Sequence, residues 1–501
     1  MNELTWTQHA PYPLLAILQL VPLAGALMLT RLGNWRGVPL LARLLFGVEF
    51  LLAIDLYRHI DAGSATLQFA EQLELLGPFR YHTGADGLTV LFVLLTALIA
   101  LLLAVYTRVR QLHSPNRLLT LILVTEGTLM SMLVTTNLLW FALASAVEIG
   151  LVGYLLWNWA TSPERGAMIA RFYQFQGTGL LLLLAGVLLA GWGHHDIAGG
   201  RWSFDLADLA ATPLTGAVGT VSFFLLFYGL AVRTPLFPLH GWLPAVAHHG
   251  NVAVGPVLLL GIKIGLYGML RFVLPVTPEA VLAWHKEIAT FAIVGVFYGA
   301  ILALLQHNLR TLLAFAVVSH TSLAVIGLFT LHPLAFQGAT LLAVNFGLAA
   351  TVLLFMVGFV YRRTQTTSLD HLGGLFDRIP FIGLTFFTGG LAVVGMPGTP
   401  GFDAAHLVLE AAIGRFGALP TVAAALGNVV AAGFLLWAFQ KAFLAPRHDQ
   451  GPEIERTQPM EYVIAGIVLI VLLGTGFYLE PWLKLVEAPL QLLSQRFPLP
   501  G

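Results

Sequence analysis

The stretch Val232-Arg-Thr-Pro-Leu-Phe-Pro-Leu-His-Gly-Trp-Leu-Pro244 lies between two long apolar runs and decides how the chain reads. It holds three prolines, a cation and a histidine. Proline lacks a backbone donor and breaks a helix. Irregular backbone at membrane depth survives only where it is buried in protein or lines a wet cavity. In transporters such broken helices mark the ion path. The stretch therefore predicts an ion-handling membrane protein.

Composition points the same way. The 501 residues are 57% hydrophobic and 10% charged, against about 25% charged in a soluble chain, and the mean hydropathy is +0.83. The fold class expected is an all-α polytopic membrane protein embedded in the lipid bilayer. Cysteine is absent, which excludes thiolate-held iron–sulfur clusters, cysteine zinc sites and disulfides in this chain. No Gly-rich phosphate loop opens a helix after a strand, so no cofactor is expected here. The net charge of zero implies no nucleic-acid partner. The first apolar run has no basic segment before it and reads as a span rather than a cleaved signal.

Fourteen apolar segments follow one another, at about 11–31, 39–57, 88–107, 117–136, 138–159, 168–192, 215–233, 250–274, 284–306, 310–331, 334–361, 380–415 (broken), 420–444 and 459–479. Basic loops mark the inner side of a membrane. Arg31, Arg36 and Arg43 fall in the first such loop, and Arg108, Arg110 and Arg117 in the second. Arg165 and Arg171, then Arg310, then Arg362, Arg363 and Arg378, and finally Arg447 and Arg456 continue the series. The intervening loops carry Asp61, Glu71, Glu74, Asp196, Asp205 and Asp208. This alternation places both termini on the outer side of the cell (inner) membrane.

A second break, Gly395-Met-Pro-Gly-Thr-Pro-Gly-Phe402, sits five segments after the first. Pro397/Pro400 repeat the spacing of Pro235/Pro238. Segments 4–8 and 9–13 then read as two copies of one five-helix unit. Five is odd, so the copies have opposite orientation, the inverted-repeat logic of secondary transporters. The expected units are N-terminal helices 1–3 over 1–115, a first inverted repeat over 116–275, a second over 284–445, and helix 14 with a tail over 446–501. Helices 7 and 12 are the broken ones.

A charge at the centre of a span costs about 2.5–3.5 kcal/mol and is functional by default. Glu126 and Glu148 lie mid-segment in segments 4 and 5. Arg233 opens the first break and His240 ends it. Lys263 is mid-segment 8, His320 lies in segment 10 and Asn345 in segment 11. Asp403, His406 and Glu410 follow the second break, and Lys441 nears the end of segment 13. In chain order these form a series of carboxylates, cations and imidazoles along which protons can hop through water. Each also has a plain structural reading. Glu148 can be the architectural partner of Arg233, His320 a bonded core histidine, and Lys441 a snorkelling surface residue. The adjacent pairs His194-His195 and His248-His249 point to different helix faces, so they read as loop or interfacial residues, not metal ligands. Asp86 reads as a helix cap.

These motifs resemble the M subunit of the proton-pumping NADH:quinone oxidoreductases of respiratory complex I, within the antiporter-like subunits shared with Mrp-type sodium/proton antiporters. The resemblance spans about residues 80–480. It rests on Phe79-Arg-Tyr-His-Thr-Gly-Ala-Asp-Gly-Leu88, Thr234-Pro-Leu-Phe-Pro-Leu-His-Gly-Trp-Leu-Pro244 and Lys263-Ile-Gly-Leu-Tyr-Gly-Met-Leu-Arg-Phe272. Ser319-His320, Gln337-Gly338 and Met396-Pro-Gly-Thr-Pro-Gly-Phe402 add to it. The resemblance implies a proton-translocating membrane subunit with no redox centre of its own, with other membrane subunits of a complex I-like assembly as partners. Related readings are an energising subunit of a carbon-uptake (bicarbonate or CO2) assembly, an Mrp-type antiporter subunit, and a non-pumping structural subunit. The chain departs from the family pattern at ion-carrying positions. The lysine of helix 7 is Arg233, and the glutamate of helix 5 falls on Ala146, with Glu148 two residues on. The histidine of helix 11 is Phe346, and the acid after the second break falls on Ala405. The resemblance is therefore to a divergent member.

Overall fold

The computed structural model describes residues 3–8, 10–76, 79–251, 254–446 and 454–498. Arg447, counted among the inner basic residues, lies outside them. The first part of the chain forms α1 (Leu14–Leu32), α2 (Val38–His59), α3 (Gly87–Arg110), α4 (Pro115–Val134), α5 (Leu138–Trp159) and α6 (Arg165–Ile197). A short α7 (Leu206–Ala211) leads to α8 (Gly216–Arg233), and α9 (Leu243–His249) follows the first proline stretch. Next, α10 (Gly255–Gly268) continues through a π-helical turn, Met269–Val273, into α11 (Leu274–Val276). Then come α12 (Pro278–Leu304), α13 (Leu309–Phe329), α14 (Pro333–Thr364), α15 (Pro380–Val394), α16 (Pro400–Phe416), α17 (Ala418–Phe439), α18 (Pro459–Phe477) and α19 (Glu480–Ser494).

Twelve helices among the described residues are long and apolar enough to cross a membrane. Two of the fourteen expected segments fall outside that set, for different reasons. In α2, Arg43, Glu49, Asp55 and Arg58 dilute the apolar content. The 380–415 segment folds as two shorter helices, α15 and α16, separated by Gly395–Thr399. Gly395 takes a φ of 77° and Gly398 one of 88°, left-handed conformations open to glycine at little cost.

The fold is the expected all-α polytopic one, and a short three-stranded sheet is added outside its spans. Strand β1 (Glu3–Thr5) runs parallel to β2 (Leu67–Leu76), which pairs antiparallel with β3 (Phe79–Ala85). The sheet ties the N-terminus to the α2–α3 connection. Its hub is His82. The imidazole Nδ1 meets the Asp205 carboxylate, and Nε2 lies 3.2 Å from Glu3 Oε2 and 3.0 Å from Gln72. The His82 carbonyl accepts from the Thr136 amide at 3.0 Å. Burial pulls the imidazolium down, but hydrogen bonds and charge from Asp205 and Glu3 outweigh it and raise His82 from 6.5 to about 9. A raised folded-state value means the contribution is complete below the unfolded value and is lost as pH rises through about 9. The melting-temperature gap between wild type and His82→Gln should therefore be widest near pH 6 and close above about pH 9. A gap that ignores pH would mean that His82 acts as a neutral group.

Buried polar caps fix where the spans begin. Asp86 accepts from the Thr89 amide at the start of α3, Asn137 from Leu139 and Trp140 at α5, and Asn308 from Arg310 at α13. At the centre, the whole Gly255–Val276 span is buried, packed by α3, α4, α5, α8 and α14. The last helix, α19, packs on α3 and α14. A Cβ at Gly87 would collide with the Leu485 carbonyl, so this close approach requires glycine there.

Candidate functional site

The site forms where α8 ends. Arg233 is the last residue of α8, ahead of the proline stretch, and its side chain turns inward between α5 and α10. Its Nη2 lies 2.9 Å from Glu148 Oε2, and both side chains are buried. Its Nε donates to the Gly261 carbonyl at 2.9 Å. A Cβ at Gly261 would run into the Glu148 carboxylate, so glycine makes the room in which the pair forms. The interrupted backbone is met by side chains: the Trp242 indole N–H donates to the Val232 carbonyl at 3.0 Å. His240 packs against Tyr298, with ring centres 5.0 Å apart, and its Nδ1 has no partner among the described residues.

Lys263 follows on α10. It is 2% exposed, and no carboxylate lies within ion-pair reach of it among the described residues. Instead its Nζ sits 4.6 Å from the centre of the Phe346 ring, the geometry of a cation–π contact. His320 stacks on the same Phe346 ring, with ring centres 4.9 Å apart. His320 Nε2 is also unpartnered among the described residues. Lysine, aromatic ring and imidazole thus form one row of contacts, Lys263 to Phe346 and Phe346 to His320.

Beside Phe346, Asn345 reaches the second break. Its Nδ2 donates to the Ala392 carbonyl at 3.1 Å, and Asn428 donates to the Val394 carbonyl at 2.6 Å. Carbonyls at the end of α15 are thereby satisfied within the protein, as hydrocarbon demands. The arrangement is an interior series of charged and ionisable groups in an all-helical membrane core, with backbone breaks at both ends.

The family model for the transmembrane region of NADH:quinone oxidoreductase/Mrp antiporter proteins matches residues 116–430. The chain belongs to this family. It is 30% identical to NAD(P)H-quinone oxidoreductase chain 4 1 of Synechococcus sp., over 93% of this chain and 90% of that one. It is 28% identical to NADH-quinone oxidoreductase subunit M of Mycobacterium tuberculosis, over 100% and 97%. Its fold superposes on a chain of respiratory complex I from Thermus thermophilus with bound NADH at a TM-score of 0.86, with 28% identity, covering 96% of this chain and 99% of that one.

This family member joins some of the residues singled out in its sequence and separates others. Glu148 and Arg233 meet, and Lys263 and His320 both contact Phe346. Glu126 is buried on α4, away from that row, with both oxygens unpartnered among the described residues. Asp403, His406 and Glu410 do not join the interior. His406 and Glu410 side chains are 70% and 57% exposed and pair with each other at 3.7 Å, one turn apart on α16, and Asp403 is half-buried. Lys441 is exposed on the π-helical stretch after α17. The expectation that these four continue a buried relay is not met within this chain, because α16 turns its small residues, Ala404, Ala405 and Val408, inward. The histidine pairs take loop contacts: His194 to Thr212 at 2.7 Å and His249 to Ser162 at 2.9 Å.

Three buried groups escaped the sequence reading. Glu49 on α2 was passed over, although it is an acid in mid-segment, the signal applied elsewhere. Arg271 binds Asp86 through both carboxylate oxygens at 2.8 Å, so Asp86 is both cap and counter-ion. Arg363, counted as a loop cation, pairs with buried Glu461 of α18 at 2.6 Å.

Proposed function

We propose that this chain is a proton-translocating, antiporter-like membrane subunit of a complex I-like NADH:quinone oxidoreductase, carrying no redox centre of its own. The observation that carries the reading is Lys263, a buried lysine with no carboxylate partner, next to a fixed Arg233–Glu148 pair. A lysine so placed can lose and regain a proton. Arginine in practice cannot, so Arg233 acts as a permanent charge beside Glu148 and biases protons electrostatically. The near full-length likeness to subunit M and chain 4 relatives supports the same reading, and the partners are other membrane subunits. Proteoliposomes of the assembled complex, loaded with a pH dye, test it. Proton uptake that continues without this chain would overturn it.

The five-helix units 116–275 and 284–445 are taken as the two transport modules, each with one break. The alternation of basic loops puts both termini outside. A fluorescent reporter that matures only in the cytoplasm should stay dark at either terminus. A bright fusion at either end sinks the fourteen-segment topology.

A further inference from the structure

Glu49 and Glu126 belong to no part of the row just described. Glu49 sits in the buried stripe of α2, between Phe46 and Ala53, and is 0% exposed. Glu126 is 1% exposed on α4, and α2 packs against α4. The two carboxyl groups interact electrostatically with each other. All four of their oxygens lack a hydrogen-bond partner among the described residues. A purely architectural acid is normally hydrogen-bonded or paired with a cation, and neither acid here is. An unpaired carboxylate in an apolar interior is costly, and two at the packed α2–α4 interface oppose each other's ionisation. The pair is therefore built to hold at least one proton in common.

We infer that Glu49 and Glu126 form a second proton-carrying site, lodged between α2 and α4, outside the Lys263 row. The transport arm of its test rests on the proposed proton movement through the chain; the labelling arm does not. The probe is dicyclohexylcarbodiimide, which enters apolar interiors and reacts with protonated carboxyls. The acid proton passes to a carbodiimide nitrogen and the carboxyl oxygen bonds to the central carbon. Rearrangement leaves an N-acylurea with no leaving group, so the whole reagent mass is added. With the chain in its assembled complex in native membranes, peptide mass spectrometry should find the adduct on Glu49 or Glu126, and E49Q/E126Q should lose it. Glutamine keeps shape and neutrality but cannot exchange a proton. E49Q and E126Q should each slow translocation at least about tenfold while assembly is retained. Wild-type rates in both variants would make the acids neutral filler and overturn the inference. So would the absence of any adduct at either position, or protection from the reagent by sodium chloride, which would mark a metal-cation site. If the wild-type complex moves no protons at all, the proposed function fails, and the adduct alone decides whether the pair holds a proton.

Discussion

Replacing Lys263 by alanine is expected to abolish proton translocation while the chain still inserts and assembles. The side chain is a buried cation without a carboxylate partner among the described residues, held only against Phe346. Removing it takes away an expensive buried charge, so folding should not suffer in proportion. The neighbouring Gly347 backbone lies against the lysine stem, 3.5 Å from Cγ by the position a Cβ would take, and can close part of the space. Lys263→Arg separates two roles. Arginine keeps the charge and the contact with the ring but cannot release a proton. If Lys263 carries protons, the arginine variant is as dead as alanine. If translocation in vesicles survives in Lys263→Arg, the lysine is a fixed charge and the carrier idea fails. If it survives in Lys263→Ala, the non-pumping reading gains.

The second large effect is expected at Arg233 and Glu148. Their 2.9 Å pair is buried, so removing one partner strands the other, at roughly 3–5 kcal/mol. Arg233→Ala leaves a carboxylate beside Gly261. Glu148→Ala leaves a guanidinium whose remaining partner is the Gly261 carbonyl. Arg233→Ala with Glu148→Ala removes both charges and strands neither. Thermal unfolding of the purified assembly should place the double variant closer to wild type than either single alanine change. Two single losses that simply add would show that the groups do not act as a pair.

The spans were legible because hydrocarbon imposes a long apolar run, and the breaks because proline acts locally. The reading that ended a segment at 233 agrees with the end of α8 at Arg233, and Asp86 was readable as a cap from its place before an apolar run. What lies across a helix boundary was harder. The Glu148–Arg233 contact could be suspected from charge alone, yet the space for it is made by Gly261, far along the chain. Asp403, His406 and Glu410 were counted as interior because they follow a break. Their spacings of three and four place them on one face of α16, opposite the alanines, so the pattern already held the answer. Glu49 and Glu126 are each visible as mid-segment acids, but which acid faces which depends on how α2 and α4 pack. The sheet around His82 was missed because the segments between spans were read only for charge.

The phenyl ring of Phe346 has a consequence for how Lys263 and His320 communicate. It offers no atom that can take up or release a proton, yet it touches both Lys263 and His320. The ring itself can hand on no proton, but it does not stop an electric field. A change of charge on either group alters the field felt by the other, because the interior screens poorly. The two groups are thus coupled as neighbouring charges are: loading one changes the readiness of the other, with no proton passing through the ring.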